Sequence, residues 1–571
     1  MKALLHFTRL YMMRYWHWYL AGIVTIAVTN WLTVTVPLYL ADGIDILAEG
    51  GSVSDVTPIA LTIALMGAAL AVIRTASRLF FFIPGRLVEA DVKHDVFATL
   101  LKQQREFLSQ WPPADIISRA SNDIHLLRML AGFSIMQAFN TLFAVTMVSI
   151  QMVRISSELT LTMLPPLIIG LGLTQFFIRA MFKLVKAVQE QLSDLSDHIL
   201  SSYQGVATIQ GFVALPAFTK QFDEKNERYL GTSLKRANIR TVIAPLLTLT
   251  ASFNLFLLLY LGGGMAVEGS LSVGRLVAMI TLVGTVIQPL RSMSFLFALF
   301  KEAQSSIERV FEVMLPKPDR PELPNPEMPS ATPPTIEIKG LNFSYPDVSE
   351  NPFELQDIEL SIPSGSTLGV FGRTGSGKST LLALLARIYN PPQGSVNVDG
   401  IDLTKIDLDA WRGVMTLVPQ TAFLFSESLK DNVMLAATDE SLFHRSVSDA
   451  SLTQDLTALA KGEDTLVGEE GLTLSGGQRQ RVAIARALMT KPNLLLLDDV
   501  LSAVDHETEH QLIEAFHARG GATKVIVSHR TSALQRADNI IVLDEGAVVA
   551  QGTHSELITR PGIYQDAWRA Q

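Results

Sequence analysis

The chain has 571 residues, of which 48% are hydrophobic and only 18% charged; it has no cysteine and a formal charge of −9. Soluble domains carry about 25% charged residues, and mean hydropathy here is +0.29, so much of this chain does not face water; disorder and fibrous repeats are excluded. Disulfides, thiolate nucleophiles and Cys-ligated metals are ruled out, and the acidic balance argues against a nucleic-acid partner, which would need a basic surface.

The first fifteen residues carry Lys2, Arg9 and Arg14 between Leu, Phe and Tyr. This pattern predicts an interfacial helix, with Tyr11, Tyr15, Trp16, Trp18 and Tyr19 at headgroup level. Six long stretches nearly free of charge follow: Trp16–Leu40, Pro58–Ile73, Ala131–Val153, Leu159–Ile178, Val242–Val267, and Leu276–Leu290 resuming after Arg291 to Phe300. A bilayer core needs about 20 apolar helical residues, so six spans are expected. The first is too long for a signal-peptide core, and no small-residue cleavage site follows it.

Loop charge sets the orientation. Ala41–Thr57 holds Asp42, Asp45, Glu49 and Asp55 but no Lys or Arg. The segments between spans two and three and between four and five are long and basic, with Lys93, Arg105, Arg119 and Arg128, then Lys183, Lys220, Arg228 and Arg240. The positive-inside rule places these, and the N-terminus, in the cytoplasm. Both segments are helix-prone and too long for structureless loops. They fit continuations of the spans, with tips at Trp111–Asp123 and Gly211–Asp223 that would press on a cytosolic partner.

No Asp or Glu lies inside a span, which disfavours a proton- or sodium-driven pump. Arg74, Arg78 and Arg291 lie within or near spans two and six. Two readings stand: they line a cavity for an anionic substrate, or they snorkel to the inner leaflet. Asn30, Gln137, Asn140, Gln175, Asn254 and Gln288 are either interhelical glue or substrate contacts.

Eight prolines from Pro316 to Pro334 mark a semi-rigid linker. Beyond it, short strands alternate with Gly turns and amphipathic helices. The expected organisation is multi-domain: an all-α six-helix transmembrane domain at 1–312, a linker at 313–334 and an α/β P-loop ATPase at 335–571. An even number of spans keeps that last domain on the cytoplasmic side.

Thr367–Phe371 reads as a buried strand. Gly372-Arg-Thr374-Gly375-Ser-Gly377-Lys378-Ser379-Thr380 and an apolar helix follow it. This is a P-loop in its required strand–loop–helix setting. Its glycines let backbone N–H groups surround phosphates, Lys378 reaches the β- and γ-phosphates, and Ser379 coordinates Mg²⁺. Asn493–Leu497 is an apolar strand ending in Asp498-Asp499, and Asp498 is the carboxylate that Mg²⁺ needs there.

Between these motifs stands Leu474-Ser475-Gly476-Gly477-Gln478. The pentapeptide resembles the signature of ABC ATPases, and the remaining pattern is similar to that family in order. The resemblance makes Tyr345 the adenine-stacking aromatic, Gln420 the Q-loop glutamine and Mg²⁺ ligand, Asp505 the D-loop aspartate and His529 the switch histidine. Asp464–Gly471 resembles the X-loop, with Glu470 where Arg is usual. Over the whole chain, the layout resembles ABC exporter half-transporters, nearest to the MdlA-type multidrug-resistance-like subunits of bacteria.

That resemblance implies ATP and Mg²⁺ as cofactors and a multi-pass inner (plasma) membrane location with a cytoplasmic ATPase. It implies export of a hydrophobic small molecule or lipid, in contact with membrane lipid. It also implies a second half-transporter, because each ATP is held between one P-loop and the opposite signature motif. Asp499 departs from the family, which usually has Glu there to polarise the attacking water. A carboxylate shortened by a methylene implies a slow site here and a fast one on a partner carrying Glu, hence a heterodimer. A homodimer with both sites active, an ATP-gated channel, a lipid flippase and an importer are the alternatives. Non-transport ABC ATPases lack spans and are excluded.

Overall fold

The structure is a computed structural model and describes residues 2–103, 107, 111–314, 326–330, 332–345, 354–435, 437, 439–468, 471, 473–502, 504–518 and 521–570. The side chains of 171, 247, 287, 288, 290, 291, 293, 294 and 354 are outside that description. The expectations for Arg291, Gln288, Glu470 and most of the linker therefore lie outside the described residues. The chain divides into two compact units: Met1–Lys102 with Trp111–Pro316, and Gln103–Gln110 with Lys317–Gln571.

The first unit is helical, as it must be where no water is present to satisfy backbone groups. Its long helices are α1 (Trp16–Ala48), α2 (Val53–Lys102), α3 (Ile135–Ile155), α4 (Ser157–Gln204), α5 (Leu215–Leu257) and α6 (Val273–Met314). Among the described residues, five helical runs are long and apolar enough to cross a membrane: Lys2–Ala48, Val53–Lys102, Pro113–Ile155, Ser157–Gln204 and Leu215–Val267. In α6 the apolar stretch recognised among described residues is the shorter Val273–Val286. The expected extensions are present, since α2, α4 and α5 run 50, 48 and 43 residues. The Trp111–Asp123 tip is helical from Pro113 onward; in the Gly211–Asp223 tip a turn at 212–214 joins the helix Val206–Gly211 to the start of α5 at Leu215.

Local chemistry sets the ends. Ser156 is extended and its hydroxyl accepts the Leu159 N–H, starting α4 immediately after α3. Asp45 near the end of α1 accepts from Ser272 Oγ at 2.6 Å and from the Gly274 N–H at 2.7 Å, so α1 caps α6. Gly274 is required there, because a Cβ on it runs into the Ala41 carbonyl oxygen.

The N-terminal segment corrects the anchoring reading. Phe7, Tyr11 and Met12 are buried, in one core with Val88, Val92, Ile124, Leu127, Ile307 and Phe311. Tyr11 donates to Asp95 at 2.8 Å and Tyr15 to Asp91 at 2.9 Å. These tyrosines lie against α2, while Trp16 stays exposed. Two polar pairs do act as interhelical glue: Asn30 with Asn140 at 3.1 Å and Gln137 with Ser292 at 3.0 Å. Asn254 instead donates to Thr250 in its own helix. Below the spans, buried Asp123 accepts from Ser306 Oγ at 2.8 Å and from Arg309 Nε at 2.8 Å and Nη2. By contrast, α4 and α5 pair with each other along their length. Their contact with α6 is an apolar cluster of Leu159, Met163, Leu258, Leu276 and Met279.

The second unit has two sheets. Strands β1 (Ile336–Ser344), β2 (Glu354–Ile362), β4 (Val396–Val398) and β5 (Ile401–Asp402) form an antiparallel sheet in the order β2-β1-β4-β5. The other sheet uses β3 (Thr367–Gly372), β6 (Met415–Val418), β7 (Leu494–Asp498), β8 (Thr523–Ser528), β9 (Asn539–Asp544) and β10 (Ala547–Gly552), ordered β10-β9-β3-β8-β7-β6. From β9 to β6 the neighbours are parallel. Strands β3, β7 and β8 are buried at every residue, as both faces of a parallel sheet are covered. Helices α7 (Lys378–Leu385), α8 (Gly476–Met489) and α9 (His506–Ala518) complete the part that carries the site.

Candidate functional site

Ligands of open parallel sheets bind at the carboxyl ends of the strands. Four neighbouring strands converge there. The phosphate loop leaves β3, Asp498 ends β7, His529 follows β8, and Gln420 lies just past β6. The loop makes its turn with Gly375 and Gly377 at φ +85° and +101°, left-handed values that favour glycine. Gly377 caps α7, whose first N–H groups face outward. A cavity of 230 Å³ is lined by Tyr345, Gly375, Gly377, Lys378, Ser379 and Thr380. Tyr345 shares a hydrogen bond with Thr380 Oγ1 at 2.9 Å and meets Tyr389 edge-on. Gly372 serves packing, since a Cβ there collides with Leu543 O and Ser376 Oγ. Thr374 is exposed at the loop tip.

Lys378 Nζ donates to the carbonyls of Gly372 at 2.9 Å and Arg373 at 2.7 Å. Burial lowers its pKa, while Asp499 and Asp498 pull it upward. Asp498 is raised, first by burial and further by Asp499, against the Ser379 hydrogen bond and Lys378. Ser379 Oγ and Asp498 Oδ1 are 3.0 Å apart. Two adjacent ligands of an octahedral Mg²⁺, each about 2.1 Å from the ion, stand ~3.0 Å from each other. The pair therefore fits that ion. Gln420 directs its Nε2 to Asp499 Oδ2 at 3.4 Å.

Asp499 has φ +47°. Asp is among the residue types that tolerate left-handed backbone, and the Asp499 N–H donates to the Val527 carbonyl at 3.0 Å. Its carboxylate lies 3.0 and 3.1 Å from His529 Nδ1. The resemblance makes His529 the switch histidine; here its imidazole is paired with Asp499.

The signature forms a second cluster. Ser475 caps α8, its hydroxyl accepting the Gln478 N–H at 3.2 Å while Gln478 Oε1 accepts the Ser475 N–H at 2.9 Å. Gly476 and Gly477 form the first turn. Gln478 Nε2 also donates to Asp455 at 3.0 Å, and Arg481 grips the same carboxylate at 2.7 Å. Among the described residues, no hydrogen bond or ion pair joins residues 372–380 to this cluster. Asp505 caps α9 by accepting from Thr508 N and Oγ1, and those bonds lower its pKa. Arg74 and Arg78 are exposed on α2.

Two supporting residues were missed in the sequence. Asp455 orients the signature helix from more than twenty residues upstream. Glu509, 2% exposed, accepts from Arg530 at 2.9 Å and Ser532 at 2.7 Å. Arg530 also reaches the Ser502 carbonyl, tying the segment of His529 to the turn after Asp499. An acid inside an otherwise amphipathic helix was the available signal for Glu509; Asp455 had none.

Comparison with known proteins agrees with this geometry. Residues 19–290 match the family model described as ABC transporter transmembrane region, and residues 355–502 match ABC transporter. The chain is 31% identical over 572 residues to the multidrug resistance-like ATP-binding protein MdlA of Escherichia coli (strain K12), covering 98% of this chain and 95% of that protein. It is 30% identical over 566 residues to YheI of Bacillus subtilis (strain 168), a probable multidrug resistance ABC transporter ATP-binding/permease protein, covering 98% and 96%. It is also 30% identical over 498 residues to the ATP-dependent lipid A-core flippase of Alkalilimnicola ehrlichii, covering 85% and 83%. Among solved structures, a bacterial Atm1-family ABC exporter with ATP bound superposes with a TM-score of 0.80 at 22% identity, covering 97% of this chain and 99% of that one.

Proposed function

The chain belongs to the ABC transporter family, with its transmembrane region and its ATPase on one polypeptide, and from that premise we propose that it is one half of an ATP-driven exporter. Its cargo is hydrophobic or amphipathic, drug-like or lipid-like. The names of the multidrug-resistance relatives and of the lipid A-core flippase support that class, as does the lack of acidic residues within the spans. The bacterial relatives support an inner-membrane location, and loop charge supports a cytoplasmic N-terminus and ATPase. Residues 313–334 are read as the linker between the two halves.

In this reading Tyr345 stacks on adenine, while the N–H groups of Gly375 to Thr380 and the Lys378 ammonium hold the phosphates. Ser379, Asp498 and Gln420 would hold Mg²⁺, which would neutralise charge on the phosphate oxygens. Ser475–Gln478 complete the site of a second subunit, where α8 presents its N-terminus to the γ-phosphate. The separation of the P-loop and signature clusters within one chain supports assembly as a dimer.

The observation that carries the division of labour is Asp499. Its carboxylate is one methylene short and is tied to His529, so it positions the attacking water poorly. We read this P-loop as a slow site and the partner, carrying Glu, as the fast one. The test is purification with the partner and comparison of Asp499→Asn here with Glu→Gln there. Turnover should persist in the first and vanish in the second; equal loss overturns the reading.

A further inference from the structure

The six-stranded sheet has a second opening, at the edge opposite the phosphate loop, where β7 and β8 begin. Strands of 5 and 6 residues at about 3.3 Å per residue put roughly 17–20 Å between the two edges. This cavity has a volume of 550 Å³, within the range of small-molecule sites. Its walls are apolar, from Leu442, Leu488, Leu495 and Phe516.

Its base holds a lysine whose ammonium makes no direct polar contact among the described residues. Lys524 lines the cavity and is 5% exposed. Its backbone N–H donates to Ser366, but its ammonium has no hydrogen-bond or ion-pair partner among the described residues. Burial lowers its pKa, with Asp538 pulling the other way. Asp538 gives Oδ2 to the Thr367 N–H at 2.7 Å. Asp538 is thus the acid that acts on this cation, but no hydrogen bond or ion pair joins the two, and the ammonium is left to face the cavity that Lys524 lines.

Two exposed cations, Arg445 and Lys491, stand at the mouth. The Arg445 pair with Asp449 is loose, at 3.8 Å. Asp439, the acid that Lys491 faces, accepts from Ser441 N at 3.1 Å and Oγ at 2.5 Å. Arg445 therefore keeps Asp449 as an ion-pair partner, while Asp439 and Asp538 each accept hydrogen bonds from other groups. The neighbouring Thr523 donates to the Pro334 carbonyl at 2.8 Å and accepts the Gly365 N–H at 2.9 Å. Pro333 itself lines the cavity, so the segment just before β1 forms part of its rim.

We propose that this cavity binds an anionic amphiphile, with a carboxylate or phosphate head on the Lys524 ammonium, Arg445 and Lys491 at the mouth, and a compact apolar body against Leu442, Leu488, Leu495 and Phe516. The proposal does not depend on which cargo is transported or on the partner's identity.

The probes are 2-naphthoate and 2-naphthyl phosphate, which separate carboxylate from phosphate recognition. Their neutral and cationic counterparts are 2-naphthalenemethanol and 2-naphthylmethylamine. The full-length protein is held in lipid nanodiscs with saturating ATPγS and Mg²⁺, so that the phosphate loop is closed to the probes. Binding is read by saturation-transfer-difference NMR against empty nanodiscs. At least one anion should bind saturably, and at least tenfold more tightly than the alcohol or the amine. Lys524→Gln should weaken it at least tenfold, Lys524→Arg should retain it, and the surface changes Lys491→Gln and Arg445→Gln should weaken it about threefold each. Absence of saturable binding, equal binding of the alcohol, or wild-type affinity in Lys524→Gln overturns the proposal. If Lys524→Gln does not fold, wild-type affinity in the Lys491→Gln/Arg445→Gln double variant overturns it instead.

Discussion

Lengthening the Asp499 side chain by one carbon should speed hydrolysis at this P-loop. In Asp499→Glu the added bond of about 1.5 Å advances the carboxylate by nearly that distance. The two 3.0–3.1 Å contacts with His529 cannot survive unchanged, so the longer group rotates off the imidazole toward the cavity. A 1 Å error in placing a reacting group costs about 10²-fold in rate, equivalent to ~2.7 kcal/mol. Recovering it should raise the rate by about that factor. The left-handed backbone at φ +47° suits Glu less well than Asp, at a cost of roughly 1 kcal/mol. That strain is present in ground and transition states alike, so it lowers Tm slightly and leaves the rate gain intact. The assay is single-turnover cleavage of γ-labelled ATP, protein in excess, in the assembled transporter with the partner's catalytic Glu replaced by Gln. A rate within threefold of wild type, or a fall, would refute the argument from side-chain reach.

Three further outcomes are expected. Asp123→Ala removes the partner of Ser306 and Arg309; because the Arg309 side chain is 41% exposed and can rehydrate, the loss should be ~1–3 kcal/mol. Arg309→Ala, which strands a buried carboxylate, should lower Tm further, and the double variant should cost less than the sum of the two. Asp455→Ala releases Gln478 and Arg481 and should lower steady-state ATPase, read at the partner's site, by tenfold or more, while ATP binding to this chain's P-loop, measured by filter assay, stays within twofold. Asp498 has a folded pKa raised by burial, so its contribution to stability is fully present below the ordinary aspartate value, near 3.9, and is lost as pH rises through the raised one. In Mg²⁺-free, nucleotide-free protein, the Tm advantage of Asp498→Asn should therefore grow from pH 4 upward and then level off; an advantage that shrinks with pH would contradict the burial.

Local chemistry was legible in the sequence, and long-range pairing was not. The P-loop announces itself because Gly375, Gly377, Lys378 and Ser379 are needed within a few residues, on one turn between a strand and a helix. The spans are visible because the absence of charge over twenty residues has few other causes. Tyr11 was read as a lipid anchor because an aromatic beside a span has the same pattern whether it meets headgroups or Asp95. Asp123, Ser306 and Arg309 carry no shared motif and meet only after α6 returns beside the start of the third helical run. Asp455 is silent for the same reason, since its partners belong to another helix. The pairing of His529 with Asp499 was equally out of reach, because adjacent strand ends bring them together.

The two helix groups of the first unit differ in how they are joined. Within one, α1, α6 and the third helical run (Pro113–Ile155) are stitched by directional bonds at Asn30, Asp45, Asp123 and Gln137. The cluster between α4, α5 and α6 is greased instead, by Leu, Met and little else. Such a contact is a slip plane: the aliphatic surfaces within this cluster can slide to a new register without losing oriented bonds of their own, so motions in this unit should shear there more readily than at the stitched contacts.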